Sequence, residues 1–153
     1  MIIRLATIFI LILVSSCGFK VLNSGIDYKI TEIITSGDKR INYFLKNKLL
    51  LNSKNNSENL IRLTVNTKKS ESIQEKNISN QITKYEIKIS SEVQIDNLKN
   101  KKSYNFTVNQ SGSYNVGTRH SETINNEKDL ANFLIDSVFN EIFDNLINIL
   151  NDL

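Results

Sequence analysis

The chain has 153 residues with 19 basic and 16 acidic side chains, one cysteine, one histidine, no proline and no tryptophan. A formal charge of +3 is too small for the basic footprint of a nucleic-acid binder, so no nucleic-acid partner is expected. A single cysteine excludes an intramolecular disulfide and leaves stability to packing alone.

Residues 1–16 predict a cleaved lipoprotein signal. Arg4 precedes the apolar run Leu5 to Val14, which is too short for a hydrocarbon core of about 30 Å that needs roughly 20 apolar residues. Val14-Ser15-Ser16-Cys17 closes the run with an aliphatic residue, two small residues and the chain's only cysteine. A positive start, a short apolar stretch and small residues before the cut define a secretory signal. Cys17 at the cut is the predicted lipidation residue. Thioether diacylation and acylation of the freed amine give three chains where stable anchoring takes two signals. Gly18, not aspartate, follows the cysteine, which predicts the outer membrane, periplasmic face. Residues 17–27 are then a lipidated tether, and 28–153 a single domain; the mature chain from Cys17 keeps 18 basic and 16 acidic side chains, since only Arg4 departs.

Residues 28–35 are rich in β-branched side chains and predict a first strand ended by Ser36-Gly37. From Asp38, Ile41, Phe44, Leu45 and Leu49 fall on one helical stripe. The polar cluster Asn52 to Asn59 is the return loop. Ile61, Leu63 and Val65 alternate with polar residues as a half-buried second strand, followed by a polar connection over Ser70 to Ser79. Tyr85, Ile87, Ile89, Val93 and Ile95 share one face of a third strand, with Ser91 its only polar member. Asp96 to Asn100 predicts a hairpin connection. Tyr104, Phe106 and Val108 form a fourth strand, with Gly112 marking a bend or bulge before Tyr114 and Val116. The last element is a helix capped by Asn126, with Asp129 three residues on. Its apolar stripe includes Leu130, Phe133, Leu134, Val138, Ile142 and Leu146, widened by Ile135, Phe139, Phe143 and Ile147.

The order β-α-β-β-β-α, with one apolar and one wet face per strand, predicts an α+β two-layer sandwich. Both helices lie on one face of a four-stranded mixed sheet. A parallel pairing of strands 1 and 2 through the helix would be right-handed.

The chemistry-bearing inventory is thin. His120 stands without a second histidine or a cysteine, so no zinc set exists and no metal or cofactor is expected. Ser121 and Glu122 adjoin it in sequence without forming a triad motif. A lone Gly37 before the first helix is weak evidence for an anion-binding helix start. The chain is read as a non-enzyme. Lys99, Lys101 and Lys102 gather at the strand 3–4 turn; Lys68 and Lys69 stand at the far end of strand 2, with Lys76 in the loop after it. Lysines of this kind can meet phosphate as point charges or simply keep a strand end soluble.

The mature start, Cys17-Gly18-Phe19-Lys20-Val21-Leu22, resembles the opening of the LptE family of lipopolysaccharide-assembly lipoproteins. That opening is commonly Cys-Gly-Phe, a basic residue, proline, leucine or valine, and tyrosine. Val21 stands where proline is usual, and Asn23 near the expected aromatic. The resemblance extends to the compact mature length and to the element order, which is that family's fold. It implies an outer-membrane lipoprotein that partners the LptD β-barrel as plug and assembly subunit and assists lipopolysaccharide transport. On charge, Lys99, Lys101 and Lys102 are the candidate lipopolysaccharide contacts. An auxiliary lipoprotein of another envelope lipid-transport or barrel-assembly complex would share the same anchor and body, and a periplasmic enzyme using His120 is the remaining alternative.

Overall fold

The computed structural model describes residues 27–152; Cys17 and the Cys-Gly-Phe start lie outside them. In chain order come β1 (Lys29–Gly37), α1 (Lys39–Leu51), β2 (Leu60–Lys76), β3 (Ile82–Asn97), β4 (Ser103–Asn115) and α2 (His120–Asn151). The four strands make one sheet in the order β1-β2-β3-β4. β1 and β2 are parallel and the other two pairs antiparallel, so the expected mixed α+β sandwich is what forms.

α1 starts where Asp38 Oδ1 accepts the backbone N–H groups of Arg40 and Ile41, both at 3.0 Å. These are two of the donors every helix start leaves unpaired. Its buried side is Ile41, Asn42, Leu45 and Leu49. The turn into the helix is tight. Gly37 has φ +90°, and a Cβ there would lie 1.9 Å from the Thr67 carbonyl oxygen, which instead accepts the Asp38 N–H at 2.9 Å. Only glycine tolerates both the dihedral and the approach.

Both helices share one core with the inner face of the sheet. Ile61, Leu63, Val65, Ile87, Ile89, Val93, Ile95 and Val108 meet Leu45, Leu49, Leu134, Val138, Ile142 and Leu146 there. The helices also touch each other, through Lys48 Nζ to Asp136 Oδ1 at 2.5 Å. Among the described residues no helix is long and apolar enough to cross a membrane.

Four expectations need correction. β2 does not yield to a loop at Ser70. It runs to Lys76, paired with β3 as far as Ile82, so Lys68 and Lys69 lie mid-strand and Lys76 ends the strand. Gly112 makes no bend, because β3 and β4 keep one unbroken register through Ile87↔Gly112. It is glycine for space, since a Cβ would stand 2.7 Å from Leu130 Cδ1. α2 begins at His120, two turns before Asn126. Its first turn is held by Glu122 Oε2, which accepts the Thr118 N–H at 3.0 Å, and by Thr123 Oγ1, which accepts the Gly117 N–H at 2.9 Å. Asn126 lies within the helix and donates to the Asn115 carbonyl at 3.0 Å. Phe133 is not part of the buried stripe; it is 66% exposed.

Candidate interaction surfaces

Three regions could meet a partner: the lysine-bearing end, the open face of the sheet, and the far end around His120.

The β3–β4 turn is organised by Asn97. Its buried side-chain oxygen accepts the N–H groups of Lys99 at 2.9 Å and Asn100 at 3.2 Å. Lys101 takes φ 59°, and its N–H closes the turn on the Asn97 carbonyl at 2.9 Å. Lys99, Lys101 and Lys102 are all exposed on this one turn. Lys99 is partly neutralised by Glu58, with Nζ 3.7 Å from the carboxylate. Leu98 N–H bonds the Leu60 carbonyl at 2.9 Å, which ties this turn to the α1–β2 loop. That loop carries Lys54, paired with Asp27. Asp27, just before β1, also accepts from Ser57 and Asn59 through its carbonyl, so the start of the domain lies at this basic end. Lys68 and Lys69 do not join this group. Lys69 lies on the inner side, 2.9 Å from Glu127 of α2.

The outer face of the sheet is wet. Two hollows run along it. One of about 460 Å³ is lined by Thr64, Asn66, Glu92, Gln94, Asn105 and Thr107, and one of about 320 Å³ by Lys68, Ser70, Lys88, Ser90, Asn109 and Ser111. Across β1 to β3 its charged groups find partners: Arg62 pairs with Glu32 on the next strand at 2.7 Å, Asn66 donates to Glu92 across the ladder at 3.2 Å, and Lys88 pairs with Glu86 along β3 at 3.3 Å. Asp96 accepts from Gln94 and Ser103 at 2.9 and 2.6 Å, and these bonds hold its carboxyl below the usual carboxylate range. The β4 third of the face carries only serine, threonine and asparagine.

At the opposite end, an opening of about 480 Å³ is lined by Tyr85, Tyr114, Glu71, Glu127, His120 and apolar neighbours. Tyr85 and Tyr114 stack at 5.5 Å. The Tyr114 hydroxyl donates to Glu71 at 2.5 Å; burial and that carboxylate push the phenol well above its ordinary pKa. His120, at the first position of α2, is exposed on the rim. Among the described residues no group of histidine, cysteine, aspartate and glutamate could hold a metal.

The buried node at the head of α1 escaped the sequence reading. Thr67 Oγ1 donates to Asn42 Oδ1 at 2.7 Å, and Asn42 Nδ2 donates to the Ser36 carbonyl at 2.7 Å. Asn42 shares the i, i+3, i+7 spacing of Leu45 and Leu49, a signal that a polar side chain sits on the buried stripe.

No protein-family model matches the chain, and no curated protein matches it in sequence. Solved structures do share its fold. A putative lipoprotein from Caulobacter crescentus superposes with TM-score 0.54 at 17% identity, covering 78% of this chain and 90% of that one. The rare lipoprotein B from Shewanella oneidensis gives TM-score 0.52 at 12% identity, covering 77% of this chain and 98% of that one. The fold is therefore one that solved bacterial lipoproteins adopt over nearly their whole length.

Proposed function

We propose that the chain is a lipid-anchored outer-membrane lipoprotein of LptE type. In this reading it lies at the periplasmic face, packs with the LptD β-barrel as plug and assembly partner, and assists lipopolysaccharide transport. The observation that carries the reading is a sheet with one open polar face, whose β4 third is paved in serine, threonine and asparagine, in a fold that solved lipoproteins adopt, on a chain with a lipidation sequence at Cys17. The lumen of an outer-membrane barrel is polar, and a short-chain polar face can hydrogen-bond to such a wall with little side-chain entropy lost. Acylated Cys17 is joined to Asp27 by nine residues, 18–26, a span of at most about 35 Å. The basic end therefore stays within reach of phosphate-bearing headgroups. Lys101 and Lys102, with Lys99 beside Glu58, are the contacts assigned to lipopolysaccharide. His120 has no catalytic role in this reading.

The test is recovery of the acylated mature protein with its partners from cross-linked envelopes. A stoichiometric large β-barrel supports the proposal, and an inner-membrane ATPase complex in its place refutes it. Alanine at Lys99, Lys101 and Lys102 together is expected to weaken lipopolysaccharide binding several-fold, with a flatter salt dependence. Unchanged affinity would remove the lysine assignment while leaving the barrel partnership standing.

A further inference from the structure

A sheet edge presents unpaired backbone groups to any passing strand, and proteins blunt such edges with charges, bulges or short strands. Two edges of this sheet are blunted. β1 has a register break between Ile30 and Glu32 and carries Lys29 and Glu32. Beyond Thr67, β2 has no β1 beside it. There it carries Lys68, Lys69, Glu71, Glu75 and Lys76, with two register breaks between Ile73 and Lys76. β4 has none of these devices. Ser103–Asn115 is thirteen residues long without a charge or a proline, and pairs with β3 without a break.

The direction of its free groups follows from the ladder. Val116 N–H donates to the Thr83 carbonyl and Asn97 N–H to the Lys102 carbonyl, both at 2.9 Å, which marks hydrogen-bonded pairs at both ends of an unbroken register. Antiparallel pairs alternate, so the even-numbered residues of β4 bond β3 and the odd-numbered ones, Ser103 to Asn115, turn N–H and C=O outward. Asn126 takes the Asn115 carbonyl. From Ser103 to Ser113 the outward groups find no partner among the described residues. α2 overhangs this edge. Leu130 lies against Gly112 and Glu141 accepts from Gln110 at 2.7 Å. Phe133, three residues on from Leu130 in the same helix, is two-thirds exposed.

We infer that β4 pairs antiparallel with β4 of a second copy of this chain, about a two-fold axis through Asn109. The strand is self-complementary in that register. Thr107 faces Ser111 of the second copy and Asn105 faces its Ser113, pairs that hydrogen-bond across strands. On the inner face Phe106 stands opposite Gly112 of the second copy, an aromatic covering a glycine, and Tyr104 opposite its Tyr114. No like charges meet, because the strand has none. The same operation on the bare stretch of β2 would bring a segment dense in lysine and glutamate against its own copy. This inference does not depend on the barrel partnership.

The test uses the acylated mature protein in detergent micelles. Cα atoms of a hydrogen-bonded antiparallel pair are about 5.5 Å apart, within disulfide reach. Mild oxidation of Asn109→Cys is expected to give a covalent dimer. Thr107→Cys alone and Ser111→Cys alone are not, and the two together restore it. Asn109→Pro removes an outward N–H and no β3 ladder bond; with an unchanged far-ultraviolet spectrum it should weaken dimerisation by roughly tenfold or more, in sedimentation, the equivalent of about 1.4 kcal/mol. A wild-type monomer at about 100 µM, well above the range of a dimer with micromolar affinity, overturns the inference. So do equal cross-linking from all three cysteine positions, or cross-linking of Asn109→Cys only to a different protein.

Discussion

The two faces of the sheet are built from the same strands and obey opposite rules. On the inner face Leu63, Ile87, Ile95 and Val108 are fully buried under the helices, and each position is fixed by volume. One residue along each strand, Thr64, Glu86, Gln94 and Thr107 face outward. No second layer of the described residues covers them. The inner face explains why the chain folds and the outer face does not, so the polar and charged side chains of the outer face are free to be set by contact with something else. Substitution measures that division. Leu63→Ala should lose about 2–5 kcal/mol of unfolding free energy, the range for a buried leucine truncated into a packed core. Its neighbour Thr64→Ala should stay within about 0.5 kcal/mol. Urea unfolding of the two variants breaks the comparison if their midpoints move together.

The inner face carries its pH signature on the alkaline side, whereas that of the outer face, the lowered carboxyl of Asp96, lies on the acid side. Tyr28 is 1% exposed, its hydroxyl has no partner among the described residues, and burial pushes its phenol from 10.0 up to about 12. A raised folded-state pKa means that the unfolded chain gives up its proton first. The stability tied to neutral Tyr28 is whole below pH 10 and is lost as pH rises towards 12. The loss across that window is about 2–3 kcal/mol. Tyr28→Phe should flatten the alkaline fall in urea midpoint and, by removing a buried hydroxyl that has no bond, should raise the midpoint at pH 7 slightly. An unchanged alkaline slope would place the titrating group elsewhere.

One polar site of the inner face lies at a join. Asn42 links α1 to Thr67 of β2 and to the Ser36 carbonyl of β1, at the point where the chain reverses through Gly37. Asn42→Ala would leave a buried hydroxyl and a carbonyl without their partner, at a cost of about 1–3 kcal/mol. Asn42→Leu should be no better, because the added volume does not supply the lost bonds. Thermal unfolding of both variants checks this; a leucine that restores the midpoint would make the site a matter of packing.

The same division explains which elements were readable in sequence. Ile61 to Val65 and Tyr85 to Ile95 show clean alternation because one side of each lies under a helix. Past Thr67, β2 keeps its backbone pairing but loses that cover. Its inward positions become Lys69, which meets Glu127, and Glu71, which meets Tyr114. Alternation reports burial, so a strand with charged inward residues reads as a loop. The first two turns of α2 were missed for the same reason, since they run past the core with only the half-exposed Ile124 as a large apolar side chain. The break at Thr31 explains why Ile30 and Ile33, three apart, both turn inward in β1. The lysine cluster at the β3–β4 turn was legible because a turn is a local object. The bare edge of β4 was not, since edge status depends on strand order and no local pattern encodes it.

Ser91 offers the finest cut between the two faces. It is fully buried at the centre of β3, between Thr67 on one side and Val108 on the other. Thr67 gives its hydroxyl to Asn42, whereas Ser91 Oγ has no partner among the described residues. A buried hydroxyl without a bond carries its desolvation cost uncompensated. Alanine removes the oxygen and changes volume by little, so Ser91→Ala should raise stability by about 1 kcal/mol. The same exchange at the outward Ser90, one residue away, should leave stability unchanged to within about 0.5 kcal/mol. A stability loss at Ser91 on the scale of Asn42→Ala would mean that its hydroxyl is bonded within the core. The polar inventory of the inner face would then extend from the head of α1 into the centre of the sheet.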